Sequence, residues 1–111
     1  MKYLIKACQG IIAIDTSAVS FHPDEGSRHY IKGIISSTGE TIHTEVCDLI
    51  IETENARFRI CECTYIKFLL DDITRYLSDH REDDTVEIDL YDPLGNDTGY
   101  DNSGIKAERF S

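Results

Sequence analysis

The sequence predicts an α+β domain: a β-sheet, antiparallel or mixed, with one main helix over residues 64–80 packed on it. Three observations predict it. Ile66, Leu69, Leu70, Ile73 and Leu77 recur at steps of three and four residues, the period of one helical face. In 85–92, Val86, Ile88 and Leu90 alternate with Glu87, Asp89 and Tyr91, the period of a strand with one face buried and acid on the other. Upstream, β-branched and alternating stretches are broken by turn residues, the pattern of successive strands. At 111 residues the chain makes a single domain, long enough for one modest core.

Taken in order, residues 2–14 read in more than one way. Lys2, Lys6, Gln9 and Ala13 fit the outer face of a helix, which would be the second of the fold. Lys2 to Cys8 and Ile11 to Asp15 equally fit two strands, or one strand bent at Gly10. The cluster Ile11-Ile12-Ala13-Ile14 favours strand for the second part. Residues 15–28 read as a connection that turns at His22-Pro23-Asp24-Glu25-Gly26-Ser27. His29 to Ser36 is a strand, followed by a turn in which Gly39 is free to take a positive φ. Thr41 to Thr53 returns as a long strand whose apolar parity changes midway, so a bulge is expected near Cys47-Asp48. Ala56 to Cys63 is the next strand, with Phe58 and Ile60 alternating with Arg57 and Arg59, and Thr64 is the expected N-cap of the helix. A long loop covers 93–104, and Ile105 to Phe110 closes the domain as a short strand.

Composition bounds the function. A hydrophobic fraction of 41% and a charged fraction of 29% are ordinary for a globular chain. The charge balance is not: 11 Lys and Arg face 21 Asp and Glu, for a net charge of -10 and a pI near 4.6. Such a chain is repelled by phosphate backbones and anionic lipid surfaces and attracts basic proteins and cations. No run approaches the ~18 apolar residues that a membrane span needs. Lys2 and Lys6 interrupt the apolar residues at the start, so no secretory leader is expected. The expectation is therefore a cytoplasmic chain whose cysteines, Cys8, Cys47, Cys61 and Cys63, are reduced.

The acid is concentrated. Between Asp71 and Asp101, eleven acids face only Arg75 and Arg81, leaving -9 of the total -10 in one third of the chain. Asp79, Glu82, Asp83 and Asp84 gather at the helix C-terminus, where the partial charge is already negative and Lys, Arg or His is preferred. Acids placed against the dipole suggest a use other than stability. With Ile66, Leu69, Ile73 and Leu77 inward, the helical phase puts Phe68 outward near Asp71, Arg75 and Glu82. Tyr91 shares a strand face with Glu87 and Asp89. Aromatic anchors beside charge suit a protein-binding surface, where the rings supply affinity and the acids steer. The candidate partner-binding residues are Phe68, Asp71, Asp79, Glu82, Asp83, Asp84, Glu87, Asp89 and Tyr91.

Other chemistries find little support. Cys61-Glu62-Cys63 places two thiols on one side of a strand, but zinc sites more often separate paired cysteines by two residues, and no second pair follows. Asp92, Asn96, Asp97 and Asp101 offer oxygens for a weak Ca²⁺ site without the spacing of an EF-hand. His22, His29, His43 and His80 show no ligand spacing. There is no P-loop, dinucleotide fingerprint or nucleophile elbow. The reading is of a non-enzyme without cofactor or metal, with a small enzyme or metal-binding domain as the alternative.

In size, α+β pattern and the acidic block Asp71 to Asp101, the chain resembles the small acidic immunity proteins of bacterial toxin systems, including those of contact-dependent growth inhibition. No diagnostic motif accompanies the resemblance, so it carries over no residue. It implies a stoichiometric inhibitor of a cognate toxin domain, often a basic nuclease, whose active site or substrate surface it covers. An inhibitor that mimics nucleic acid and binds several basic enzymes is the alternative of the same charge.

Overall fold

The structure is a computed structural model that describes residues 2–7, 10–16, 18–34, 37–91 and 93–94 and the strand 104–109; for Ile34 and for 104–109 it describes the backbone alone. The described residues form seven strands and one helix: β1 (Lys2–Ala7), β2 (Gly10–Asp15), β3 (Ser20–Ile34), β4 (Thr41–Glu52), β5 (Ala56–Thr64), α1 (Ile66–Asp79), β6 (Thr85–Asp89) and β7 (Gly104–Arg109). The α+β class stands. The strands divide into two sheets rather than one: a mixed sheet ordered β2-β1-β6 and an antiparallel sheet ordered β3-β4-β5-β7.

The N-terminal segment is a hairpin, not a second helix. β1 and β2 pair antiparallel from Lys2↔Asp15 to Ala7↔Gly10, with Tyr3, Ile5, Ile12 and Ile14 buried on one face. β6 joins the free side of β1 in parallel, with Tyr3 opposite Val86 and Ile5 opposite Ile88. Hydrogen bonds from Lys2 N–H to the Asp84 carbonyl (2.9 Å) and from Leu90 N–H to the Lys6 carbonyl (2.8 Å) fix both ends of that pairing.

The core lies between the two sheets and α1. It unites Tyr3, Ile5, Ile12, Ile14, Val86, Ile88 and Leu90 with Cys47, Leu49, Ile51, Ile60 and Cys63, and α1 adds Ile66, Leu69 and Ile73. Leu70 and Leu77, also expected inward, are half-buried against it. Val46 and Ile50 are buried as well, so β4 is covered on both faces in its second half.

Several boundaries differ from the sequence reading. The helix runs from Ile66 to Asp79, and Thr64 does not cap it: Thr64 is the buried last residue of β5. The cap position belongs to Tyr65, in left-handed conformation at φ 50° with no side-chain cap bond. Strand hydrogen bonding holds the chain through Thr64, so one residue must make the turn into the helix. Glu82 therefore lies in the loop after α1 and not on its outer face. Residues 20–28, read as part of a connection, belong to β3, whose pairing with β4 is irregular between Asp24 and His29. Strand β6 ends at Asp89 rather than at residue 92. Gly39 does adopt φ 71° in the turn before β4.

The expected bulge is present, with its extra residue on the other strand. Cys47↔Cys63 and Leu49↔Ile60 leave Asp48 alone opposite Cys61 and Glu62. Glu62 takes a left-handed φ of 54°, and its N–H donates to Asp48 Oδ1 at 2.9 Å. Asp48 Oδ2 also accepts from Arg59 Nη1 at 3.0 Å, and the same nitrogen reaches Asp24 Oδ2 on β3 at 2.6 Å. Arg59 thus ties β5 to β3 across the intervening β4, on which Ile50 is its register partner. Asp48→Ala removes the acceptor of a strained backbone N–H and half of this latch. It is expected to lower stability by about 2 kcal/mol, read from urea unfolding.

The latch also sets an acid dependence. The Arg59 hydrogen bond holds the Asp24 carboxyl below its usual range, and Arg28 does the same for Glu25 and Glu45. Folding depresses these values, so the unfolded chain binds protons more readily. Their stabilisation is complete above about pH 5 and disappears as pH falls through the depressed folded values. Arg59→Gln is therefore expected to flatten the decline in stability below about pH 5, measured as urea midpoints against pH. Equal slopes in the two proteins would show that the latch does not form in solution.

Candidate functional site

The C-terminal end of α1 and the outer face of β6 frame a cleft of about 450 Å³, lined by Lys6, Tyr76, Asp79, His80, Glu87, Asp89, Pro93 and Leu94. Local sequence builds each wall. Tyr76 and His80 are four residues apart, so their rings meet on one side of the helix and stack with centroids 4.0 Å apart. His80 Nδ1 donates to the Tyr76 carbonyl at 2.8 Å, and the His80 N–H reaches the Tyr76 and Leu77 carbonyls, closing the helix. On β6, Val86 and Ile88 face the core, which forces Glu87 and Asp89 outward.

Three candidate carboxylates thus line one cleft: Asp79, Glu87 and Asp89. Lys6 is the one cation among the described residues lining it, and its ammonium lies 3.9 Å from Glu87 with both groups well exposed. Such a pair adds little stability and leaves the cleft acidic. Asp89 Oδ1 accepts the Tyr91 N–H at 2.9 Å, which turns the chain at the end of the strand. Burial raises the Tyr76 hydroxyl pKa, and the charges of Glu87 and Asp83 raise it further. The phenol is thus a neutral donor beside the carboxylates.

The remaining candidates spread around this cleft. Glu82, Asp83 and Asp84 are exposed in the loop that follows α1, where Asp83 N–H donates to the His80 carbonyl. Tyr91 is 48% exposed beyond β6. Phe68 is 61% exposed on the outward face of α1, but it sits eleven residues before Asp79, roughly 16 Å along the helix. Asp71 is farther from the cleft than the sequence reading implied, lining a separate hollow with Pro23, Glu25, Arg28, Ile66, Lys67 and Leu70. Phe68 and Asp71 therefore form one group at the start of the helix, and the acidic cleft another at its end. The Tyr76/His80 spacing was open to reading in the sequence; Lys6 was not, because only the parallel β1–β6 pairing brings it there.

Among the described residues, no three His, Cys, Asp or Glu side chains are grouped to hold a metal ion. Cys61 and Cys63 do not share a strand face, because the bulge at Glu62 breaks the alternation. Cys63 enters the core, while Cys61 remains half-buried outside it. The set Asp92, Asn96, Asp97 and Asp101 lies outside the described residues. Burial pushes the Cys63 thiol up to about 12 and raises Cys47 as well. Neither forms thiolate readily. Titration of the native chain with an aromatic disulfide is expected to modify Cys61 well before Cys47 and Cys63, which should react only in denaturant. Rapid modification of Cys63 in native buffer would contradict its burial. No helix among the described residues is long and apolar enough to cross a membrane. Set beside models of known protein families, curated proteins and solved structures, the chain matches none of them.

Proposed function

We propose that the chain is a protein-binding inhibitor of the immunity type, which neutralises a basic partner, a nuclease toxin domain, by covering its active site or substrate surface. The observation that carries the reading is the cleft at the end of α1, which Asp79, Glu87 and Asp89 line with Lys6 as the one cation among the described residues. A nuclease must present Lys and Arg to hold phosphates. Those same side chains fit an acidic cleft with an aromatic pair in its wall, which offers carboxylates for charge-assisted hydrogen bonds and ring faces for cation contact. The exposed loop acids Glu82, Asp83 and Asp84 extend the negative field and speed encounter, most strongly at low salt. Tyr91 supplies an amphipathic anchor at the rim, and Phe68 with Asp71 supplies a second contact area along the helix.

The test is capture of partners from the chain's own cells at low and moderate salt, followed by a nuclease assay of whatever is held. One basic protein bound 1:1, resistant to moderate salt, lost in the Glu87→Lys/Asp89→Lys variant and inhibited by the wild-type chain would support the reading. Several nucleic-acid enzymes, all released by salt, would point instead to nucleic-acid mimicry. No partner under either condition would leave the acids as a solvated surface.

A further inference from the structure

The β3–β4 pair runs past the rest of its sheet. β5 pairs with β4 only as far as Val46↔Thr64, then turns at Tyr65 into α1. Beyond that point His29–Ile34 and Thr41–Glu45 form a two-stranded ribbon in which no described side chain is buried. Its register sorts the faces: Ile31 opposite Thr44 and Gly33 opposite Ile42 on one, Tyr30 opposite Glu45 and Lys32 opposite His43 on the other. The first face carries no charge and leaves Ile31 and Ile42 exposed.

Two-stranded ribbons are marginal alone in water, and free edges invite further pairing. The first half of β3 is guarded by Pro23 and by the irregularity between Asp24 and His29. The β4 edge from Thr41 to Glu45 has no proline and no lysine, and Arg28 already engages its one charge, Glu45, at 2.7 Å. Where β5 leaves this edge, a hollow of about 220 Å³ opens between His43–Cys47, Cys63, Tyr65 and Ile66.

Local charge admits a second copy of the chain as the occupant. A chain of net charge -10 repels its own copies over most of its surface. From Arg28 to Val46, however, the two cations Arg28 and Lys32 balance the two anions Glu40 and Glu45. We infer that this edge pairs two copies of the chain, β4 against β4, antiparallel about a two-fold axis. Centred on His43, the register sets Ile42 against the second copy's Thr44 and Thr41 against its Glu45. It extends the apolar face over four strands and opposes no like charges directly. The second copy's Gly39 and Glu40 enter the hollow beside Tyr65, and the two acidic bodies are held at opposite ends of the ribbon. The cleft of the proposed function lies at the far end of α1, about 21 Å of helix away, so the two sites are independent.

Sedimentation of the full chain between about 10 µM and about 1 mM is expected to show a reversible monomer–dimer equilibrium, weak because so short an edge buries less than a standard interface. Ile42→Glu should hold the chain monomeric with an unchanged circular dichroism spectrum. In a Cys8→Ser/Cys61→Ser background, His43→Cys should cross-link to its copy when diamide takes up the two electrons and two protons of the thiol pair. Directly opposed strand residues lie about 4.5–5.5 Å apart, within reach of a disulfide. Lys32→Cys, on β3 and away from the β4–β4 seam, should not cross-link. A chain that stays monomeric at about 1 mM overturns the inference. So does a dimer that survives Ile42→Glu, or one that cross-links no better through position 43 than through position 32.

Discussion

Leu69→Ala is expected to lower the unfolding free energy by about 3 kcal/mol, the largest stability effect anticipated for any residue of the helix. Leu69 is fully buried and belongs to the cluster that both sheets share. Truncation loses the transfer free energy of the removed carbons and leaves a cavity that two sheets and a helix cannot jointly close. Alanine is the best helix former, so the loss reports packing and not helix propensity. Domains of this size are stable by roughly 5–15 kcal/mol, which makes the change a large share of the total. Phe68→Ala, one residue earlier and mostly exposed, is the control and should change stability by no more than about 0.5 kcal/mol. Urea unfolding of the three proteins measures both. Equal midpoints for Leu69→Ala and wild type would mean that α1 does not join the core.

Reversing two charges in the cleft is expected to have the largest effect on binding. Glu87→Lys/Asp89→Lys takes the net charge from -10 to -6 and turns one wall of the cleft basic. Against a basic partner, the association rate at low salt should fall at least about tenfold and the dissociation constant rise on the order of a hundredfold. The dependence of the rate on salt should flatten as well. The fold should survive, since both side chains point away from the core. The losses are one exposed pair with Lys6 and the hydrogen bond from Tyr91 N–H, together worth about 1 kcal/mol or less. Calorimetry with unfolding curves separates the two effects. An unchanged dissociation constant in a folded variant removes Glu87 and Asp89 from the interface.

Much of the local structure was legible in the sequence because it depends on near neighbours. The phase of Ile66, Leu69 and Ile73, the alternation of Val86 and Ile88, the positive φ of Gly39 and the register change near Cys47-Asp48 all follow from periods of two or 3.6 and from turn chemistry. The errors arose where long-range pairing overrides local preference. Thr64 is a good cap by residue type, but pairing opposite Val46 keeps it in β5 and gives the turn to Tyr65. Residues 20–28 carry Pro, Gly and Asp and read as a turn. They are held in β3 because Asp24 lies across from Asp48 and Arg59 ties the two together.

The same division separates the charge from the cleft. The sequence by itself determined that the chain is acidic, that the acid is concentrated after Asp71, and that Phe68 lies on the exposed side of the helix. These are properties of composition and of a single helical face. Only the tertiary structure decided which acids share a site. The parallel pairing of β6 with β1 carries Glu87 and Asp89 to the end of α1 and brings Lys6 beside them, whereas Phe68 and Asp71 stay at the other end of the helix. No sequence period encodes a contact between residues some eighty positions apart. That contact follows from burying Tyr3 and Ile5 against Val86 and Ile88, a condition the whole core must satisfy at once.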